Sequence, residues 1–143
     1  LIAGREPQWT LATATYDPET GVDTNMAILL QFPGGLASVI DCGILTAWRN
    51  QYEVIGTSGK IIVETPFGNG VRSRKATLYD ATGKVLSEEV LTANQFELMV
   101  ESVSRAILTG QEAPISLQES LTNSRILDAC GRSAQSGGQR VEL

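Results

Sequence analysis

Over its first two thirds the chain spells out six or seven short runs rich in β-branched and aromatic residues, and the links between them are only a few residues long. Parallel neighbours need a crossover of a dozen or more residues, so links this short force the strands to run antiparallel. The clearest run is residues 24–32, where Thr24, Met26, Ile28, Leu30 and Phe32 share one face and Asn25, Ala27, Leu29 and Gln31 take the other. Pro33-Gly34-Gly35 then turns the chain into residues 36–44, whose Leu36, Ile40, Cys42 and Ile44 lie on one side. Residues 8–16 alternate more weakly, and Asp17-Pro18-Glu19-Thr20-Gly21 reads as a turn.

The segment Val54-Ile-Gly-Thr-Ser-Gly-Lys-Ile-Ile-Val-Glu64 poses a choice, because its centre resembles half of a phosphate-binding loop. A P-loop needs a glycine five places before the Gly-Lys pair and a Ser or Thr straight after it. Val54 and Ile61 occupy those places, so the segment reads as a hairpin with Gly56-Thr57-Ser58-Gly59 at its tip. A Gly-, Arg- and Ser-rich crossing over residues 67–74 and a second hairpin around Asp80-Ala81-Thr82-Gly83 follow. This is a meandering antiparallel sheet without the βαβ rhythm of a dinucleotide fold.

The last third changes period. Asn94 with Glu97 predicts a capped helix whose Phe96, Met99, Val100, Val103 and Ile107 form one core face up to Gly110. Ser116 with Glu119 predicts a second capping box. It opens a helix to about Ser136 whose apolar arc of Leu117, Leu121, Ile126, Leu127, Cys130 and Ala134 is wide enough to be buried on more than one side. Gly137-Gly138 stops that helix, and residues 141–143 are expected as a final edge strand. Residues 1–4 read as the tail of a helix, with Gly4 as its left-handed stop.

With 143 residues the chain is expected to form a single α+β domain over residues 1–143: an open, mostly antiparallel sheet of about six strands with helices on one face. The balance of 11 basic and 16 acidic residues, net charge −5, argues against a nucleic-acid partner. Apolar runs of four or five residues are far short of the ~20 that span a bilayer, which argues against a membrane partner. Cys42 and Cys130 are expected as buried thiols in the reducing cytoplasm, with no support for a disulfide.

The chain contains no histidine, which removes the commonest general base and the commonest zinc ligand. No catalytic, cofactor-binding or metal-ligating residue is assigned. Asp41, Asp128 and the Glu88-Glu89 pair are better explained as solvated or capping carboxylates than as acid–base groups. Trp48 and Arg49 could stack on or clamp a planar or anionic ligand and are the candidate substrate-binding residues, with packing at a sheet end as the alternative. Ser133 and Ser136 read as helix-terminal.

The order of these signatures resembles the C-terminal part of the Gfo/Idh/MocA oxidoreductases, the glucose–fructose oxidoreductase and inositol dehydrogenase family. Its carriers are the Gly56-Thr57-x-Gly59 tip between strands, Phe67, the Ser116/Glu119 cap, Asn123, Asp128-Ala129, Ser133-Ala134, Gly137 and Val141. The resemblance covers nearly the whole chain. It implies the sheet architecture of the glyceraldehyde-3-phosphate dehydrogenase C-terminal type and homodimers formed through the open sheet face. It further implies a parent enzyme that uses NAD or NADP on a small-molecule substrate such as a sugar, inositol, dihydrodiol or related polyol or carbonyl compound. The family's catalytic Glu-Lys-Pro and Asp-x-x-x-His segments have no counterpart here: Arg5-Glu6-Pro7 lacks the lysine, and Leu45 stands four residues after Asp41. The resemblance therefore places the chain immediately downstream of a catalytic helix and a Rossmann domain. By itself the chain is expected to bind no cofactor and to be inactive. The competing expectation is a non-catalytic assembly or ligand-binding module that keeps the same sheet.

Overall fold

A computed structural model describes residues 2–68 and 70–143. The elements run β1 (Trp9–Tyr16), β2 (Asp23–Gln31), a short 3-10 turn (Pro33–Gly35), β3 (Ala37–Gly43), β4 (Gln51–Gly56), β5 (Gly59–Glu64), β6 (Val71–Asp80), β7 (Val85–Asn94), α1 (Gln95–Thr109), α2 (Leu117–Gln135) and β8 (Val141–Glu142). The α+β class and the antiparallel pairing hold throughout, and the strands divide into two four-stranded sheets, ordered β3-β2-β1-β8 and β4-β5-β6-β7. The division falls at residues 44–50, which form no ladder between β3 and β4. The chain correspondingly forms two compact units, Leu1–Ala47 with Ile115–Leu143, and Trp48–Pro114.

The first unit carries the core. Period-two patterning sends Thr24, Ile28 and Leu30 of β2 inward, with Met26 and Phe32 partly covered, as the alternation predicts. The helix α2 lies over β1 and closes Ala12, Ile28, Leu30 and Cys130 into one cluster, flanked by Ile126 and Ala134. Burying Ile28 and Leu30 contributes roughly 1.5–3 kcal/mol each. The residues α2 buries are small, Ala129, Cys130 and Ser133, which lets the helix backbone approach the strand closely. Leu117, Leu121 and Leu127 stay exposed, so α2 is buried on one side only, in contrast to the broad arc its sequence suggests.

Two fully buried hydroxyls fasten this helix to the sheet. Ser133 Oγ accepts from Ala12 N at 2.8 Å and donates to Gln139 O, while Thr10 Oγ1 bonds Cys130 Sγ at 3.3 Å. Ser136 fits the helix-terminal reading, its Oγ donating to Ser133 O, but Ser133 is a tie between helix and strand. The expected capping box is present: Ser116 Oγ accepts from Glu119 N and Glu119 Oε2 accepts from Ser116 N. Gly137, at φ 76°, stops α2 where a residue with a Cβ would be strained, and β8 pairs with β1 at the expected edge. Gly4 has the positive φ of a helix stop, but residues 2–4 form no helix, and Leu1 lies outside the described residues.

The second unit is built differently. Asn94 ends β7 and also caps α1, accepting from Phe96 N at 3.2 Å, so no loop allows the helix to turn back over the sheet. Phe96, Met99, Val100, Val103 and Ile107 are therefore exposed rather than forming the expected core face, and only Ala106 is buried on α1. Among the four strands Thr77 alone is buried. Cys42, on β3 at the edge of the other sheet, is exposed rather than buried, because α2 covers β1 and leaves that edge open. Cys130 is buried as expected.

Candidate functional site

Residues 51–64 settle the phosphate-loop question. β4 and β5 pair from Gln51↔Glu64 to Gly56↔Gly59, with Thr57 and Ser58 at the turn. A Cβ at Gly59 would come within 2.1 Å of Tyr79 O, so only glycine allows β6 to approach there. The segment is therefore a β-hairpin, not the strand–loop–helix that a phosphate loop requires.

The four carboxylates singled out in the sequence, Asp41, Glu88, Glu89 and Asp128, are all exposed. Asp128 is exposed and paired with Arg132 at 3.0 Å, one turn along α2. Glu88 accepts from Lys75 at 3.3 Å, and Lys75 also lies 3.7 Å from Glu64. The hydrogen bond to Glu88 first, and the charges of Glu64 and Glu88 after it, hold the Lys75 ammonium above its ordinary range. Glu89 sits across from Ala76, and Asp41 is exposed on β3. Among the described residues no three His, Cys, Asp or Glu side chains gather as a metal cluster.

Trp48 and Arg49 both lie exposed in the coil ahead of β4, and 74% of Trp48 is open to solvent. What the sequence reading missed is the residue that follows them. Both amide atoms of the Asn50 side chain engage the backbone of Phe67: Nδ2 donates to Phe67 O, and Oδ1 accepts from Phe67 N at 3.3 Å. Asn50 O also accepts from Thr65 N at 2.8 Å. Arg74 secures the same loop from β6, Nε donating to Pro66 O at 3.1 Å while Nη1 donates to Ala93 O at 2.9 Å. Thr65 is held at φ 50°, the left-handed region that a β-branched residue rarely occupies. Phe67 at the loop's centre remains 66% exposed. An asparagine directly before a strand and a proline followed by glycines were the available signals.

An open depression of about 450 Å³ occurs in the first unit, between α2 and the chain near Pro7, lined in part by Leu121, Arg125, Ile126 and Leu143. Part of its polar rim is engaged: Thr122 Oγ1 donates to Glu6 Oε1 at 3.0 Å, and Asp128 is tied to Arg132.

Residues 1–62 match the model of the GFO/IDH/MocA C-terminal domain. An uncharacterized oxidoreductase of Rhizobium meliloti is 30% identical over 142 residues, which are 96% of this chain and 42% of that protein. The D-xylose 1-dehydrogenase (NADP(+)) 2 of Haloferax volcanii is 28% identical over 137 residues, again 96% of this chain and 42% of the relative. The aldose-aldose oxidoreductase of Caulobacter crescentus superposes with a TM-score of 0.76 at 23% identity, over 98% of this chain and 42% of that one. The chain is a C-terminal domain of the Gfo/Idh/MocA oxidoreductase family. It spans about two fifths of the length of these relatives.

Proposed function

We propose that this chain is the substrate-facing and dimer-forming domain of an NAD- or NADP-dependent oxidoreductase acting on a sugar, inositol, dihydrodiol or related polyol or carbonyl compound in the cytoplasm. The observation that carries the reading is the nearly end-to-end match to oxidoreductases, one of them a pentose dehydrogenase whose name specifies NADP. Hydride transfer needs a dinucleotide held against the carbon that is oxidised, together with a group that handles the substrate hydroxyl proton. Both belong to the remainder of such an enzyme, and the chain by itself is inactive. Its own contribution is to wall the substrate, with Trp48 and Arg49 as the contacts, and to pair with a second copy. The exposed apolar side chains that share one face of the second unit's sheet, Tyr52, Ile61, Leu78 and Leu91, support that pairing, because an open sheet of this character needs a cover.

The test is a fluorescence titration of the full-length enzyme with NADH and NADPH beside the same titration of this chain. Saturable binding of one dinucleotide by the full-length enzyme and by it alone is expected, and binding of neither would overturn the reading in favour of a non-catalytic module. Arg49→Ala in the full-length enzyme is expected to lower kcat/KM for the oxidised sugar by about tenfold, the worth of one charge-assisted hydrogen bond.

A further inference from the structure

We infer that Asn50 is a positioning residue for substrate: its side chain fixes the loop of residues 65–68 so that Phe67 is presented near Trp48 and Arg49 as an aromatic face for a sugar or polyol. The inference rests on the oxidoreductase reading proposed above and adds to it a second aromatic contact and the residue that places it.

The observation is a loop that is tightly held although its largest side chain is not used for packing. Two hydrogen bonds of the Asn50 side chain with Phe67, one accepted by Asn50 O from Thr65 N and one donated by Arg74 to Pro66 O fix residues 65–67, and Thr65 sits in a costly left-handed conformation. Backbone strain persists only where surrounding contacts over-determine it, and it concentrates where geometry serves binding or catalysis. A loop ordered for the core would bury its phenylalanine, yet Phe67 is 66% exposed. The chain between Trp48 and Asn50 spans at most ~7 Å, so the clasp ties the Phe67 backbone close to the Trp48–Arg49 stretch. A sugar ring offers an apolar C–H face to an aromatic and hydroxyls to a guanidinium, and a ring held in advance loses little freedom on binding.

The experiment uses the full-length enzyme with NAD+ and NADP+ and a panel of D-xylose, D-glucose and myo-inositol, taking the fastest sugar or polyol forward. Phe67→Ala, at an exposed position, is expected to raise KM by about three- to tenfold with kcat nearly unchanged, the worth of one aromatic contact. Phe67→Tyr restores the original KM, and Asn50→Ala raises it by a few-fold because the ring is present but no longer placed. Asp80→Ala, which removes a comparable set of turn hydrogen bonds at the far hairpin, leaves KM unchanged. An unchanged KM in Phe67→Ala, or equal effects of Asn50→Ala and Asp80→Ala, overturns the inference while the enzyme still binds dinucleotide and turns over. A full-length enzyme that binds no dinucleotide overturns the underlying reading, and the inference with it.

Discussion

The two sheets share a construction and differ in what covers them. Each has four antiparallel strands, joined by short connections throughout the second sheet and between β1, β2 and β3 of the first. The first receives α2, whose small residues Ala129, Cys130 and Ser133 seat against β1 and close a core around Ala12, Ile28 and Leu30. The second is followed by α1, which continues from the last residue of β7 and leaves its long apolar side chains in solvent. Strand patterning therefore sets which residues share a face, but a connection of adequate length and a helix of small residues decide whether that face is buried.

The sharpest way to test this contrast is amide exchange. Amides of β1, β2 and α2 are expected to be protected at least about a hundredfold more than those of β7 and α1, since buried core ladders open only with global unfolding and exposed ones open locally. Equal protection in the monomeric chain would break the comparison. The next effect in size is Ser133→Ala, expected to cost about 2–3 kcal/mol in denaturant unfolding because it leaves the buried Ala12 N–H without its partner. Ser116→Ala removes the cap of α2 and costs about 1 kcal/mol.

Acid should act on the same elements through their carboxylates. Hydrogen bonds from Ser116 N and then Ser116 Oγ hold Glu119 below its ordinary pKa, and backbone and side-chain bonds from Thr20 do so for Asp17. In Asp80 the Thr82 hydroxyl is the first cause and Lys84 N the second. A lowered pKa in the folded chain means that the contribution is complete above the ordinary carboxylate values, 3.8 for Asp and 4.5 for Glu, and fades as pH falls through the lower folded values. Thermal melts should therefore show Tm falling below about pH 4.5, and Glu119→Gln should flatten part of that fall. Smallest of all, Leu91→Ser in the second unit is expected to change monomer stability by no more than about 0.5 kcal/mol, because Leu91 is already 64% exposed. It should nonetheless weaken self-association in sedimentation if two copies pair through that sheet.

Much of this could be read from the sequence because local chemistry sets it. Alternation in β2, the glycines around Thr57-Ser58, the Ser116/Glu119 box and the Gly137 stop act within a few residues of themselves, and each appears where its pattern puts it. Burial was less legible. Cys42 and the apolar face of α1 look like core in a one-dimensional reading, yet Cys42 lies on an edge strand away from α2 and α1 runs straight on from β7, so both are exposed. The Asn50 clasp was also hidden, since an asparagine beside a strand can serve any of several turns, and the partner it takes lies 17 residues away.

The bond between Ser133 and Ala12 has one more consequence. The short β8 pairs only with Trp9 and Thr10 of β1, so the rim of that sheet would otherwise offer a naked amide to any passing extended peptide. A hydroxyl from the helix occupies that amide. A single side chain thus works as a stopper at the β1 rim beyond the short β8, while the opposite rim of the sheet, strand β3, keeps its capacity to take up another strand.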